Sequence, residues 1–252
     1  MKVSITASMA SAAVLAATSA GAAPLFEDVH PVVMPKSTHG YRGINGDFVQ
    51  LTDGSILYAY TQGGIVARTS TDQGRIWGDP VSLVPAPTLP ATGRIVHPSL
   101  LRLGNGDILL SYIYSTHPTT PYFGHNYVRR SNDEGKTWTE QYIMTPYPGY
   151  VIVHNDRLSV LSTGRILAVA EYKAHMPSSD DHSGYVGMTF FSDDNGHSWQ
   201  PSRNTVDLYK DQRVEVQEAD AVELKDGRLL MFARSYSGYP VFAYSEDKGE
   251  SW

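Results

Sequence analysis

Beyond about residue 50 the apolar positions fall in short runs, and each run is introduced by a leucine and a glycine-bearing turn. The turns read Leu51-Thr-Asp-Gly54, Leu103-Gly-Asn-Gly106, Leu161-Ser-Thr-Gly164 and Leu224-Lys-Asp-Gly227. The runs that follow are Ser55-Ile-Leu-Tyr58, Asp107-Ile-Leu-Leu110, Arg165-Ile-Leu-Ala168 and Arg228-Leu-Leu-Met231. Apolar stretches of this length on either side of Asp-Gly or Asn-Gly predict β-strands joined by tight hairpins. Both turn residues are expected at positive φ, which these residue types tolerate. Strong helical periodicity is hard to find along the chain, so the pattern is that of a turn-rich β protein.

A second element closes each repeat. It reads Ser70-Thr-Asp72-Gln-Gly74-Arg-Ile-Trp77, Ser131-Asn-Asp133-Glu-Gly135-Lys-Thr-Trp138, Ser192-Asp-Asp194-Asn-Gly196-His-Ser-Trp199 and Ser245-Glu-Asp247-Lys-Gly249-Glu-Ser-Trp252. These four copies use every tryptophan in the chain, and their aspartates stand 61, 61 and 53 residues apart. A period of that size marks a solenoid or a propeller. In each box the Asp can accept backbone N–H bonds, the Gly takes a positive φ, and the Trp is expected to pack between neighbouring sheets. Each repeat therefore reads as strand, tight turn, strand, variable loop, strand and box, and repeated four-stranded antiparallel sheets describe an all-β propeller.

These boxes resemble those of the sialidase (neuraminidase) superfamily, whose hallmark is this aspartate box, the bacterial neuraminidase repeat. The resemblance covers about Arg42 to Trp252. It implies a six-bladed β-propeller whose active site lies at the channel mouth, on the face away from the boxes. Four blades are expected from this chain, which ends on the last residue of the fourth box. The expectation is therefore an open part of the six-bladed ring. The alternative is a closed four-bladed ring, with the segment Leu25 to Met34 supplying an outer strand.

Candidate site residues follow from the repeat. Counting six back from each recurrent leucine gives Asn45, His97, Asn155 and Glu218 at equivalent positions of the innermost strands. Polar residues of varied type at one repeat position suggest a shared site on a rigid scaffold. Within the resemblance, Glu218 corresponds to the carboxylate that activates the nucleophile. Arg234 corresponds to one arm of the cluster that grips the substrate carboxylate, which a guanidinium can hold with two parallel bonds. Tyr41-Arg42-Gly43-Ile44 resembles the motif of the first such arginine, with Gly in place of Ile and no following Pro, which makes Arg42 a second candidate arm. The acid/base aspartate that the resemblance implies after the first inner hairpin has no counterpart in Thr61-Gln-Gly-Gly64. Imidazoles offer other chemistry: His97 and the run His154-Asn155-Asp156-Arg157 sit at strand starts, with Tyr122, His125, Tyr147 and Tyr150 expected in nearby loops. His97, His154 and Asp156 are thus candidate catalytic groups beside Glu218, and Asn45 and Asn155 candidate binding groups.

The opening of the chain reads as a targeting segment. Lys2 supplies a positive start, Val3 to Ala17 is small and apolar, and Ala20-Gly21-Ala22 offers a small-x-small cleavage pattern. A signal peptide over residues 1–22 predicts export, to a periplasm or the medium, with a propeller over 23–252. The apolar stretch is too short for a membrane span. With no cysteine in 252 residues, disulfides cannot contribute to stability there. A net charge of −6, from 20 Lys and Arg against 26 Asp and Glu, argues against a nucleic-acid partner.

No cofactor is expected, and no metal, since His175 and His182 around Asp180-Asp181 match no common ligand spacing. Phosphate loops, Gly-x-Ser-x-Gly elbows and Cys nucleophiles are absent from the sequence. The expected function is a sialidase-like (exo-α-sialidase-like) glycosidase whose partner is an acidic oligosaccharide or glycoconjugate. A uronate-polysaccharide glycosidase or lyase using His, Tyr and Arg is an alternative, and a non-catalytic sugar-binding propeller is another.

Overall fold

A computed structural model of the chain describes residues 46–86, 93–115, 122–154, 156–174 and 184–252. Among these, the regular structure is all strand apart from one helical turn. The first repeat is a four-stranded antiparallel sheet in chain order: β1 (Gly46–Gln50), β2 (Ile56–Gln62), β3 (Gly64–Ser70) and β4 (Val81–Val84). The second holds β5 (Arg94–Arg102), β6 (Ile108–Ser115), β7 (Tyr122–Ser131) and β8 (Tyr142–Ile143). In the third the innermost strand is split into β9 (Gly149–Ile152) and β10 (Leu158–Val160), both paired with β11 (Ile166–Lys173), and β12 (Val186–Ser192) and β13 (Gln200–Pro201) follow. The helical turn α1 (Tyr209–Gln212) leads to the fourth repeat, β14 (Gln217–Glu223), β15 (Leu229–Arg234) and β16 (Val241–Ser245). A short parallel pairing of β7 with β9 joins the second and third repeats into one sheet.

The Leu-x-x-Gly turns are hairpins, but of another type than expected. In each, the glycine N–H bonds the leucine carbonyl, and the leucine N–H bonds the carbonyl of the residue after glycine, as in Gly54 to Leu51 at 3.0 Å and Leu51 to Ser55 at 2.8 Å. Only the glycine is left-handed, with φ of 85–93° across the four, and the Asp or Asn before it is not. This is a four-residue turn closed by a glycine bulge. Only the glycine therefore needs a positive φ, and Thr163 can precede Gly164 as readily as an aspartate.

The boxes close on themselves in the same way in every repeat. Ser131 Oγ donates to Asp133 at 2.8 Å and accepts the Gly135 N–H at 2.8 Å, while Asp133 accepts the N–H and hydroxyl of Thr137 at 2.9 and 2.6 Å. The residue before each box glycine is left-handed as well: Gln73, Glu134, Asn195 and Lys248 have φ of 57–63°.

Strand alternation explains the core. Along β11, Ile166, Ala168 and Ala170 face the second repeat, and Leu167 and Val169 face the fourth. Three apolar clusters result, one at each junction between successive repeats. The box tryptophans occupy these junctions: Trp138 packs against the first, Trp199 lies in the second and Trp252 packs against the third. Trp77 departs from the expectation. It lies on the outward face of the first repeat, against Phe48 and Tyr58, because no earlier repeat stands before it among the described residues.

The sheets do not close into a ring. No strand pairing joins the fourth repeat to the first among the described residues. The outward face of the fourth presents Val222, Phe232, Phe242 and Tyr244 exposed, and that of the first presents Phe48. The closed four-bladed alternative is not what forms here. The segment that would have supplied its outer strand, residues 25–34, lies outside the described residues.

Candidate functional site

At the ends of the repeats away from the boxes, the inner strands of the second, third and fourth repeats are each interrupted by a left-handed residue. The pairing of β5 with β6 shifts between Val96 and Ser99, with His97 at φ 56°; that of β14 with β15 shifts between Gln217 and Asp220, with Glu218 at φ 47°. In the third repeat the break separates β9 from β10, with Asp156 at φ 56°. None of the three is glycine, and each left-handed side chain costs on the order of 1 kcal/mol. Bulges of this kind turn a side chain away from its strand face.

Between the third and fourth repeats these bulges bring charged groups together. The phase of β11 that buries Leu167 and Val169 continues to Glu171 and Lys173, both buried. The Glu171 carboxylate joins two strands: Oε2 accepts the backbone N–H of Glu218 at 2.9 Å, and Oε1 lies 3.2 Å from Nε2 of His154. The second contact is off the line of a full hydrogen bond, and Nε2 has no other partner among the described residues. The edge of the His154 ring meets His97, centroids 5.5 Å apart. Glu218 pairs with Arg234 at 2.7 Å, and Arg234 also donates to the hydroxyl of Tyr236 at 2.6 Å while stacking on its ring. Arg234 stands opposite Gln217 in the β14–β15 ladder, so the hairpin carries it back to the end of the sheet where Glu218 lies. Behind this group the Tyr185 hydroxyl is pushed well above the usual phenol range by burial, with Tyr150, Glu171, Glu215 and Tyr236 adding to the effect.

Two residues further along the inner strands, a bonded series links the four repeats. Asp47 accepts the N–H of Leu100 at 2.8 Å, Ser99 Oγ accepts the N–H of Asp156 at 3.0 Å, and Arg157 approaches Asp220 at 3.5 Å. Burial raises the carboxyls of Asp47 and Asp220, and the nearby charge of Asp156 raises both further. Among the described residues no group of three or more His, Asp or Glu is placed to hold a metal ion.

Of the residues singled out by sequence, the fold collects His97, His154, Glu218 and Arg234 at one end, with Asp156 one step along. Asn45, Asn155 and Arg42 lie outside the described residues, as do His175, His182 and the segment 1–22. His125 is not in a loop: it is buried on β7, bonded through Nδ1 to the Thr145 carbonyl at 2.6 Å, and burial lowers its pKa. Tyr147 packs edge-on against Tyr172. The turn Thr61-Gln-Gly-Gly64 closes as a tight hairpin, Gln62 pairing Gly64 around a left-handed Gly63, and it carries no carboxylate.

Sequence reasoning missed Glu171, Arg94 and Asn126. A charged residue in the buried phase of an otherwise apolar strand was the available signal for Glu171. Arg94 lines a cleft of about 80 Å³ with Val96, His97, Ile113, Tyr150 and His154. Asn126 is buried on β7, and its side chain accepts the N–H and donates to the carbonyl of Val153, both at 2.8 Å, which fixes the backbone next to His154.

The family model described as a BNR repeat-like domain matches residues 63–252, more than half of the chain. The chain belongs to this family. It is 27% identical over 231 residues to a sialidase of Micromonospora viridifaciens, a match covering 82% of this chain and 34% of that protein. The chain thus spans about a third of the length of this curated relative.

Solved structures carry the same fold. The Hadza microbial sialidase Hz136 aligns with a TM-score of 0.61 at 19% identity, over 82% of this chain and 45% of its own. Trypanosoma rangeli sialidase in complex with sialic acid aligns at 0.63 and 14% identity, over 84% of this chain and 37% of its own. The described residues form a sialidase-like all-β fold in which no helix is long and apolar enough to cross a membrane.

Proposed function

We propose that this chain forms four blades of a six-bladed sialidase-type propeller and serves a glycoside hydrolase acting on an acidic, exo-α-sialoside-like sugar. The observation that carries the reading is the Glu218–Arg234 pair, held at 2.7 Å on a left-handed bulge at the end of the sheets away from the boxes. An exposed guanidinium there can hold a sugar carboxylate in a planar fork, with Glu218 beside it to activate a nucleophile. Sialic acid in the T. rangeli complex and the sialidase name of the M. viridifaciens relative support the acidic sugar. Arg42, Asn45 and Asn155 belong to the same proposed binding group, and residues 1–22 to an export signal that releases the protein to a periplasm or the medium.

The test is turnover of sialosides and uronate oligosaccharides by the protein and by Arg234→Lys. Turnover of a sialoside that collapses in the variant supports the reading. Equal turnover by both removes Arg234 from it. A second reading, a uronate glycosidase or lyase, draws on the edge-to-face pair of His97 and His154 beside Arg94. Release of an unsaturated uronate product would favour it.

A further inference from the structure

We propose that His154 is the acid that protonates the departing sugar oxygen, and that the buried Glu171 is the positioning residue that holds its imidazole for that step. The proposal rests on the glycosidase reading above. Glycoside cleavage needs a proton donor at the leaving oxygen. Glu218 is paired with Arg234, and Glu171 is buried and accepts the Glu218 N–H. Asp47 and Asp220 are engaged with Leu100 and Arg157 two residues further along the inner strands, away from the cleft that His154 borders. His154 borders the cleft between the second and third repeats, where a ligand oxygen can enter.

Its surroundings specify one orientation. A carboxylate only accepts, so in the proposed dyad Glu171 Oε1, 3.2 Å away, takes the Nε2 proton and Nδ1 is left to deliver the mobile one. Asn126 clamps both backbone groups of Val153, so the imidazole is presented from a fixed strand. On this proposal the off-line contact at 3.2 Å tightens when a ligand fills the cleft. Among the described residues, the charged and titratable groups around the pair include His97 and Arg94 on β5, Tyr150 on β9, Lys173 on β11, Tyr185 before β12 and Glu218 on β14.

In the step, the bond from the anomeric carbon to the leaving oxygen breaks with its electron pair on that oxygen, which takes the Nδ1 proton. Over the full hydrolysis the anomeric carbon gains the oxygen of a water molecule, and the proton that water releases returns to the imidazole. Glu171 keeps the ring oriented throughout.

Leaving-group dependence tests this. An acid matters for an alkyl leaving group and little for nitrophenolate, whereas a structural defect harms both alike. For His154→Gln the expected loss in kcat/KM on an alkyl glycoside of the acidic sugar is about 10²–10⁴-fold, against less than about tenfold on the nitrophenyl glycoside. Glu171→Gln keeps an oxygen for the Glu218 N–H, so the fold should survive, with a smaller loss of the same selectivity in kcat and an unchanged KM. Equal losses on both substrates overturn the proposal.

A substrate-free measurement reads the pair alone. Nitrogen-15 NMR of the wild-type protein is expected to show His154 protonated at Nε2, and an Nδ1–H neutral tautomer overturns the dyad whatever the kinetics. A wild-type protein that shows the Nε2–H signal but cleaves neither glycoside defeats the proposed function, and with it the use of His154 as an acid.

Discussion

The two ends of the same four sheets are built in opposite ways. At the box end every repeat holds the same serine, aspartate, glycine and tryptophan, and the bonds of the serine and aspartate side chains close within eight residues. At the other end the equivalent residues differ, and side chains at the strand breaks reach between repeats: Glu171 to Glu218, Arg157 to Asp220, Asp47 to Leu100. The serine–aspartate core of each box is a locally satisfied folding device. The opposite end combines left-handed residues of varied type with a half-satisfied polar group and a cleft, which is where a rigid scaffold can carry chemistry.

Replacing tryptophans sharpens the contrast most. Trp199→Ala should cost about 3–5 kcal/mol, read as a lowered denaturant midpoint, because the side chain is buried between two sheets. Trp77→Ala should cost about 1.5 kcal/mol or less, since only its stacking on Phe48 and Tyr58 is lost. Equal costs would mean that the outward face of the first repeat is covered in solution.

At the other end, Arg234→Lys should weaken binding of an acidic sugar by about 1.5–3 kcal/mol in titration calorimetry, with no comparable change in melting. Glu218→Gly should leave stability unchanged or raise it by up to about 1 kcal/mol, because glycine relieves the left-handed strain while one exposed ion pair is lost. Activity should fall in that variant. A clear loss of stability would make the bulge a structural device, like the boxes.

The smallest contrast is electrostatic, and its sign differs between the ends. Hydrogen bonds from the Thr137 hydroxyl and N–H and from the Ser131 hydroxyl hold Asp133 down to about 2, below its ordinary 3.8. A depressed carboxyl stabilises the fold above its unfolded value and loses that contribution as pH falls from 3.8 towards 2. Burial raises Asp47 and Asp220, so their contribution is present below 3.8 and is lost as pH rises through their folded values. Asp133→Asn should flatten the acid limb of stability measured by denaturant titration at several pH values. Asp47→Asn should remove a decline on the other side while keeping an oxygen for the Leu100 N–H.

How far the sequence could be read follows the range of the contacts. Leu51 to Gly54 and Ser131 to Trp138 are local, repeat four times and are spelled by residue types with one physical use each, so strands, turns and boxes were legible. The turn geometry was read wrongly because Asp-Gly serves two hairpin types, and the backbone bonds alone distinguish them. Counting back from the recurrent leucine found His97 and Glu218, two of the left-handed positions. Glu171 stayed hidden inside an apolar strand, 47 residues from the N–H it accepts.

By itself, then, the sequence determined the all-β repeat, its period and the closed bonding of each box, because these depend on groups within a few residues of one another. Only the tertiary structure decided which tryptophan is buried, that the first and fourth sheets stay apart, and that His154, Glu171 and Glu218 meet. Those outcomes depend on which strand phases face each other across a junction. No spacing along the chain encodes the distance between two side chains on different sheets.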